Sequence, residues 1–428
     1  MSPHSGADAP GTAAAVAPGA PAGAAPSKVL PGTMPGTLGD ELRAELIAFR
    51  RDLHMHPELG HQEFRTTAAI KARLEAAGLA PRVLRSGTGL ICDIGAENWD
   101  GVRPILALRA DIDGLPIPDT KPFTCAYRST VPDRAHACGH DVHTTTVLGA
   151  GLVLKELHDR GRLPYPVRLL FQPAEEVLPG GATDAIASGA LDGVGRIIAV
   201  HCDPKVDAGR IGLRVGAITS ACDRLEVSLD GPGGHTARPH LTTDLVTAAA
   251  KVASEVPVLA ARRVDGRSAL AVTWGRIEAG HASNVIPQHA ELSGTVRCLD
   301  LDAWRAAPDV VHEAIDEIAA LYRAKSEITY VRGVPPVVND MDVTGLLRDA
   351  MTVRLGADAV EDTEQSLGGE DFSWYLEQVP GAMARLGVRT PGDPVRRDLH
   401  RGDFDVDERA ITVGVELFTA AALLDAGR

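Results

Sequence analysis

Between residues 40 and 218 the chain alternates two kinds of segment, and that alternation limits its fold more than any other feature. Leu42, Leu46, Ile47 and Phe49 recur at roughly helical spacing over 40–54, and the run is broken at Pro57 and Gly60. A second helical repeat, 67–77, stops at Gly78. Short apolar runs without polar alternation follow at 89–95, 105–110, 167–171 and 196–200, with helical stretches to about 158 and at 184–188 between the later ones. Strands that lack a polar face must be covered on both sides, so the pattern predicts an α/β fold with a largely parallel sheet. Ligands in such folds bind beyond the carboxyl ends of the strands. Asp111, Glu175, Glu176 and His201 each stand just after a predicted strand, which gathers them at one edge.

The alternation is interrupted once. Residues 219–333 read as strand 224–229, helix 243–261, strands 269–277 and 290–297, helix 302–324 and strand 327–332. That order, β-α-β-β-α-β, is the ferredoxin-like split motif, complete in one segment. Mixed elements then resume with a helix at 343–355, a GGEDF turn at Gly368, a helix to 377, a strand at 382–387 and a closing helix at 408–424. The expected organisation is a discontinuous catalytic domain, 39–218 and 334–428, carrying an inserted domain, 219–333. An Ala/Gly/Pro-rich tail, 1–38, precedes it and has too little apolar surface to order itself.

Charge and composition exclude several partners. The formal charge of -14 argues against nucleic acid and anionic membrane, since either needs a basic face. An anionic substrate must then be drawn by a local basic site. No run of eighteen apolar residues predicts a membrane span, and the tail lacks the basic and apolar blocks of a secretory signal. Six cysteines without framework spacing fit a reducing compartment, the cytoplasm, better than a disulfide scaffold.

The chemistry concentrates in HACGHDVHTT, from His136 to Thr145, where three imidazoles, a thiol and a carboxylate precede a helical run. Cys138 and His140, one residue apart, can face one or two ions, and their donor types suit zinc, nickel, cobalt or manganese rather than calcium. Asp141 and His143 either support such ligands or start the helix. Read alone, the stretch also fits a buried Cys in a His-rich loop. Adjacent Glu175 and Glu176 point in different directions after their strand, so one can bind metal while the other acts as general base; a solvated acidic turn is the plainer reading. His201 and His400 are single imidazoles that gain meaning only with the others. In the inserted segment, His235 follows three glycines within four residues, and Asn284 and Arg297 complete a set suited to a carbonyl oxygen and a carboxylate.

HPELGHQE from His56, LRADIDGLPI from Leu108, HACGHDVHTT, FQPAEE, GPGGHTARPH, SNVIP, GGEDF and LHRGDFDVDE occur in this order. Together they resemble the metal-dependent amidohydrolases that include aminoacylases, hippurate hydrolases and auxin-conjugate hydrolases. The resemblance runs from about residue 40 to the end. It implies a two-metal catalytic α/β domain and a smaller lid domain that commonly dimerises. Carried over position by position, it implies Cys138, His140, Glu176, His201 and His400 as ligands of two divalent ions (Mn, Zn, Co or Ni). It also implies Glu175 as general base, Asp111 steering ligand geometry, His235 as oxyanion donor, and Asn284 and Arg297 holding the substrate carboxylate. The expected activity is hydrolysis of N-acyl amino acids. A dipeptidase or carboxypeptidase and an N-carbamoyl-amino-acid hydrolase are the enzymatic alternatives, and a non-catalytic metal-binding protein is the remaining one.

Overall fold

The computed structural model describes residues 36–96, 101 and 104–425. Most of the expected tail lies outside the described residues, but its last member does not. Leu38 is buried, and its N–H donates to Glu416 Oε1 at 2.9 Å, so the ordered chain begins before residue 39.

An eight-stranded sheet forms the larger unit, with its central strands parallel: Val167–Gln172, Ile105–Asp111, Val194–Asp207 and Gly381–Arg389, in that spatial order. Antiparallel pairings occur toward the edges, at Leu90–Ile94 on one side and Ile211–Leu213 on the other. Every residue of Ile105–Asp111 and of Val167–Gln172 is buried, as unalternating apolar runs require when both faces are covered. Helix His140–Asp159 covers one face and is itself packed against helices Asp40–Met55 and Arg409–Asp425. Gly149 allows that close crossing, because a Cβ there would stand 2.6 Å from Leu46 Cδ1 and 2.7 Å from Val415 Cγ2.

Residues 222–334 form a second sheet of four antiparallel strands, ordered Ala271–Ala279, His289–Arg297, Cys222–Asp230, Lys325–Val334. Helices Leu245–Arg262 and Leu301–Leu321 pack on this sheet and on each other. Burial alternates along Cys222–Asp230, the mark of a sheet with one covered face. Both helices start where a carboxylate caps them: Asp244 accepts from Thr247 N–H and Asp300 from Ala303 N–H. This unit keeps its own apolar core, built on residues such as Leu225, Val252, Leu292 and Ile315.

One expectation needs correction. His201 does not follow its strand but lies inside it, since Val194–Asp207 continues well past residue 200. Pairing with Gly381–Arg389 sustains the strand, reaching as far as Arg389 opposite Asp207. Among the described residues no helix is long and apolar enough to cross a membrane.

Candidate metal centre

The turn between Cys138 and His140 sets the geometry. Gly139 has φ 87°, a conformation that L side chains rarely adopt, and a Cβ there would approach Cys202 Sγ to 2.7 Å. The helix starts at His140, so the thiol is delivered by the turn and the imidazole by the first helical residue. His140 Nδ1 lies 3.1 Å from Asp113 Oδ1, which leaves Nε2 buried without a hydrogen-bond partner. His201 Nδ1–H donates to its neighbour's carbonyl, Cys202 O, at 2.8 Å, and its Nε2 stands 3.6 Å from Cys138 Sγ. In both histidines one nitrogen is fixed by the protein and the other points to a shared space, as metal-ligating imidazoles require.

His143 is different. Its Nδ1 is 2.6 Å from Asp111 Oδ1, and its Nε2 accepts the Cys202 backbone N–H at 2.8 Å, so both nitrogens are used. It is a brace between the helix and two strands. Only the backbone of Cys202 enters this bond, so it does not depend on which side chain stands there.

Glu175 and Glu176 follow strand Val167–Gln172 through Pro173 and Ala174, the latter at φ 54°. Two carboxylates hold this turn: Glu63 Oε1 accepts from Ala174 N–H at 2.7 Å, and Asp113 Oδ2 from Glu176 N–H at 3.0 Å. Glu175 Oε2 and Glu176 Oε1 lie 3.9 and 3.8 Å from His140 Nε2. His400, also at positive φ and tied by its N–H to Ala137 O, places Nε2 3.2 Å from Glu176 Oε1. Ligand atoms of Cys138, His140 and His201 lie within 4.8 Å of one another, as do those of Cys138, Glu176 and His400.

Burial and mutual repulsion dominate the electrostatics of the cluster. Burial, with Glu176 and Glu175 beside it, pushes the Cys138 thiol well above its usual range. Burial likewise raises Glu175, reinforced by Glu370 and Glu176. Burial works against a charged His140, but Asp111 and Asp113 outweigh it and raise its pKa to about 10. A thiol and a carboxyl that hold their protons in this way are groups that a divalent cation would bind in place of those protons. Their donor types fit divalent transition ions, so the residues present suit the metals that the sequence implied.

Asp111 ends its strand between His143 and Arg109, whose Nη1 donates to Asp111 Oδ2 at 2.6 Å. Arg109 also reaches Asp371 Oδ1 at 2.9 Å and Glu370 Oε1 at 3.1 Å. Glu370, Asp371, Arg109 and Asp113 received no role from the sequence, although the GGEDF and LRADIDGLPI stretches contain them. The cluster borders a cavity of about 290 Å³ whose walls include Cys138, Glu175, His201, Glu370, Arg385 and His400. A lone arginine in the otherwise apolar run at 382–387 was the available signal for Arg385.

The residues expected from the second unit are not brought into this cavity within one chain. His235 is exposed on a two-stranded ribbon, where Ala237 N–H donates to its Nδ1, and Asn284, next to that ribbon, is exposed too. Arg297 lies outside the cavity lining and donates to Leu367 O, beside the loop that carries Gly368 and Gly369.

The profile of peptidase family M20/M25/M40 matches residues 107–424. The chain belongs to that family. As a member of M20/M25/M40 it is a metal-dependent hydrolase of carbon–nitrogen bonds. It is 38% identical over 372 residues to the N-acetyl-L-cysteine deacetylase of Bacillus subtilis, covering 86% of this chain and 85% of that protein. It is 47% identical over 381 residues to a Rhodococcus jostii protein whose name places it among glutamate–cysteine ligases. That match covers 89% of this chain but 47% of the relative; the chain spans about half the relative's length, and the name assigns nothing to the matched half. Among solved structures, the dinuclear metal-binding peptidase YXEP of Bacillus subtilis superposes with a TM-score of 0.77 at 33% identity, covering 91% of this chain and 99% of that one.

Proposed function

We propose that this M20/M25/M40 member hydrolyses the amide bond of N-acyl amino acids, with Glu175 as general base. The observation that carries the reading is the clustering of Cys138, His140, Glu176, His201 and His400 beside Glu175, with all of these but His140 lining one small cavity. About 290 Å³ falls just short of the usual ligand-pocket range of roughly 300 to 1,000 Å³ and favours a compact acyl group.

Two divalent ions, Mn, Zn, Co or Ni, held by those five residues would polarise the amide carbonyl and acidify a water toward neutrality. Glu175 takes the proton of the attacking water and returns it to the leaving nitrogen; its burial beside Glu370 and Glu176 favours the protonated form that the second of these steps draws on. Asp111 keeps His143 in the tautomer whose Nε2 accepts from Cys202 N–H, and so steadies the strand that carries His201. Asp113 does the same for His140 and for the Glu176 backbone.

In this reading 39–218 and 334–428 form the catalytic domain, and 219–333 is a ferredoxin-like lid through which two copies pair. Pairing would carry His235 and Asn284 of one copy to the cavity of the other, as oxyanion donor and carboxylate contact, with Arg297 at the rim. The edge strand Ala271–Ala279 is the natural seam, since among the described residues it is unpaired on one side and exposes Ile277. Six free thiols support a cytoplasmic location.

The test is a hydrolysis screen of N-acetyl, N-benzoyl and indole-acetyl amino acids, with dipeptides and N-carbamoyl amino acids alongside, under each of the four metals. Turnover of the acylated compounds is expected. Cleavage confined to dipeptides or carbamoyl compounds would move the protein to another substrate class.

A further inference from the structure

Arg385 has no part in the chemistry above, yet it stands inside the site. It lies on strand Gly381–Arg389 and is the register partner of His201 on the neighbouring parallel strand. The residue is only 5% exposed, lines the same cavity as Cys138 and Glu175, and keeps Nη2 buried without a hydrogen-bond partner.

Two other arginines show how unusual this is. Arg109, equally buried, is bonded to Asp111, Gln172 and Asp371. Arg297 is occupied by Leu367 O and is absent from the cavity wall. Of the three, Arg385 is the one that lines the cavity and carries a guanidinium nitrogen with no hydrogen-bond partner among the described residues. Burial works against its charge, and Asp203, Glu370 and Cys138 offset that in part. A buried donor left without a partner is costly, and a planar anion relieves that cost by accepting from the guanidinium fork. Arg385 is the one arginine or lysine among the described residues that line the cavity, whose other ionisable members include Glu175, Glu176, Glu370 and Asp371.

We propose that Arg385 is the carboxylate-binding residue of the cavity, holding the negative group of the substrate while the amide carbonyl faces the Cys138–His140–Glu176–His201–His400 cluster. The proposal rests on the amidohydrolase reading for the identity of the substrate. The carboxylate can be that of the amino acid or one on the acyl group, and the chemistry of recognition is the same.

The experiment uses the full-length, metal-loaded protein and compares wild type with Arg385→Met and Arg385→Lys. Three compounds separate the sources: an N-acetyl amino acid, its primary amide, and the N-succinyl form of that amide. Arg385→Met is expected to lower the kcat/KM ratio of the carboxylate-bearing compound to the blocked amide by about 10- to 100-fold, the span of one charged hydrogen bond. The compound whose ratio falls identifies which carboxylate is held. Arg385→Lys keeps the charge without the fork and should fall between the two, which keeps the test open if the Met variant does not fold.

A binding measurement frees the result from turnover. In a Glu175→Gln background, calorimetric titration with the N-acetyl amino acid, or with the N-succinyl amide where that is the compound held, should show Kd rising by about 10- to 100-fold when Arg385 is also replaced. The melting temperature should not fall, because removing an unpaired buried charge sacrifices no partner. Unchanged ratios and Kd, or an equal loss on all three compounds with a lower melting temperature, would make Arg385 structural and overturn the proposal. If wild type hydrolyses none of the three compounds, the amidohydrolase reading fails, while the calorimetric comparison still decides Arg385.

Discussion

At Cys138 a buried thiol faces two carboxylates that hold it protonated, a balance that a bound divalent cation reverses. Cys138→Ala is therefore expected to lose most of its metal and of its activity, since no nearby side chain replaces the sulfur. Metal content by plasma mass spectrometry equal to wild type would reject the assignment. Glu175 and Glu176 are neighbours with different surroundings: one is raised by burial among acids, while the other touches His400. Glu175→Gln should retain metal and lower kcat by at least ~10²-fold, the lower range for a general base. Glu176→Gln should weaken metal binding instead. Identical behaviour of the two variants, in metal content and in kcat, would dissolve this division of labour.

Among the elements, the turn before helix His140–Asp159 is the most constrained. Gly139→Ala places a Cβ 2.7 Å from Cys202 Sγ at φ 87°, a backbone strain worth about 1–2 kcal/mol before the steric term. We expect a melting temperature several degrees lower and weaker metal affinity, because Cys138 and His140 flank the shifted bond; thermal melts with and without zinc measure both. The same turn shows what a sequence can disclose. The candidate ligands were legible as a group because a thiol, imidazoles and paired carboxylates stand in motifs that resemble a known family in order. The second unit was legible because a β-α-β-β-α-β order of segments is complete within 219–333. The continuation of Val194–Asp207 was not, since HCDPKVD is polar and contains Pro204; a distant strand sustains it. Arg109 was equally silent, because its partners Glu370 and Asp371 lie on the far side of the inserted unit in sequence. Arg385 acquires meaning only through its register with His201.

For the whole molecule, metal binding and folding are linked. An ion present at 100 times its Kd adds about 2.7 kcal/mol if it binds only the folded chain. Chelation should thus lower the melting temperature, and manganese or zinc should restore it; an unmoved melt with activity lost would place the metals outside the folded core. Ile277→Glu on the exposed edge strand should convert a dimer to monomers by light scattering, and kcat should fall with it if His235 acts across the pair. The order of strands carries a different consequence. Ile211–Leu213 follows Val194–Asp207 almost directly in sequence, yet Gly381–Arg389 lies between them in the sheet. On the ribosome the main sheet therefore waits with an open slot until the carboxyl-terminal strand emerges. Residues 222–334, whose strands pair only with one another, can close in the meantime. A nascent chain stalled before residue 381 would hold a finished small unit and a large one with a naked, aggregation-prone edge, so chaperone demand should peak in that interval.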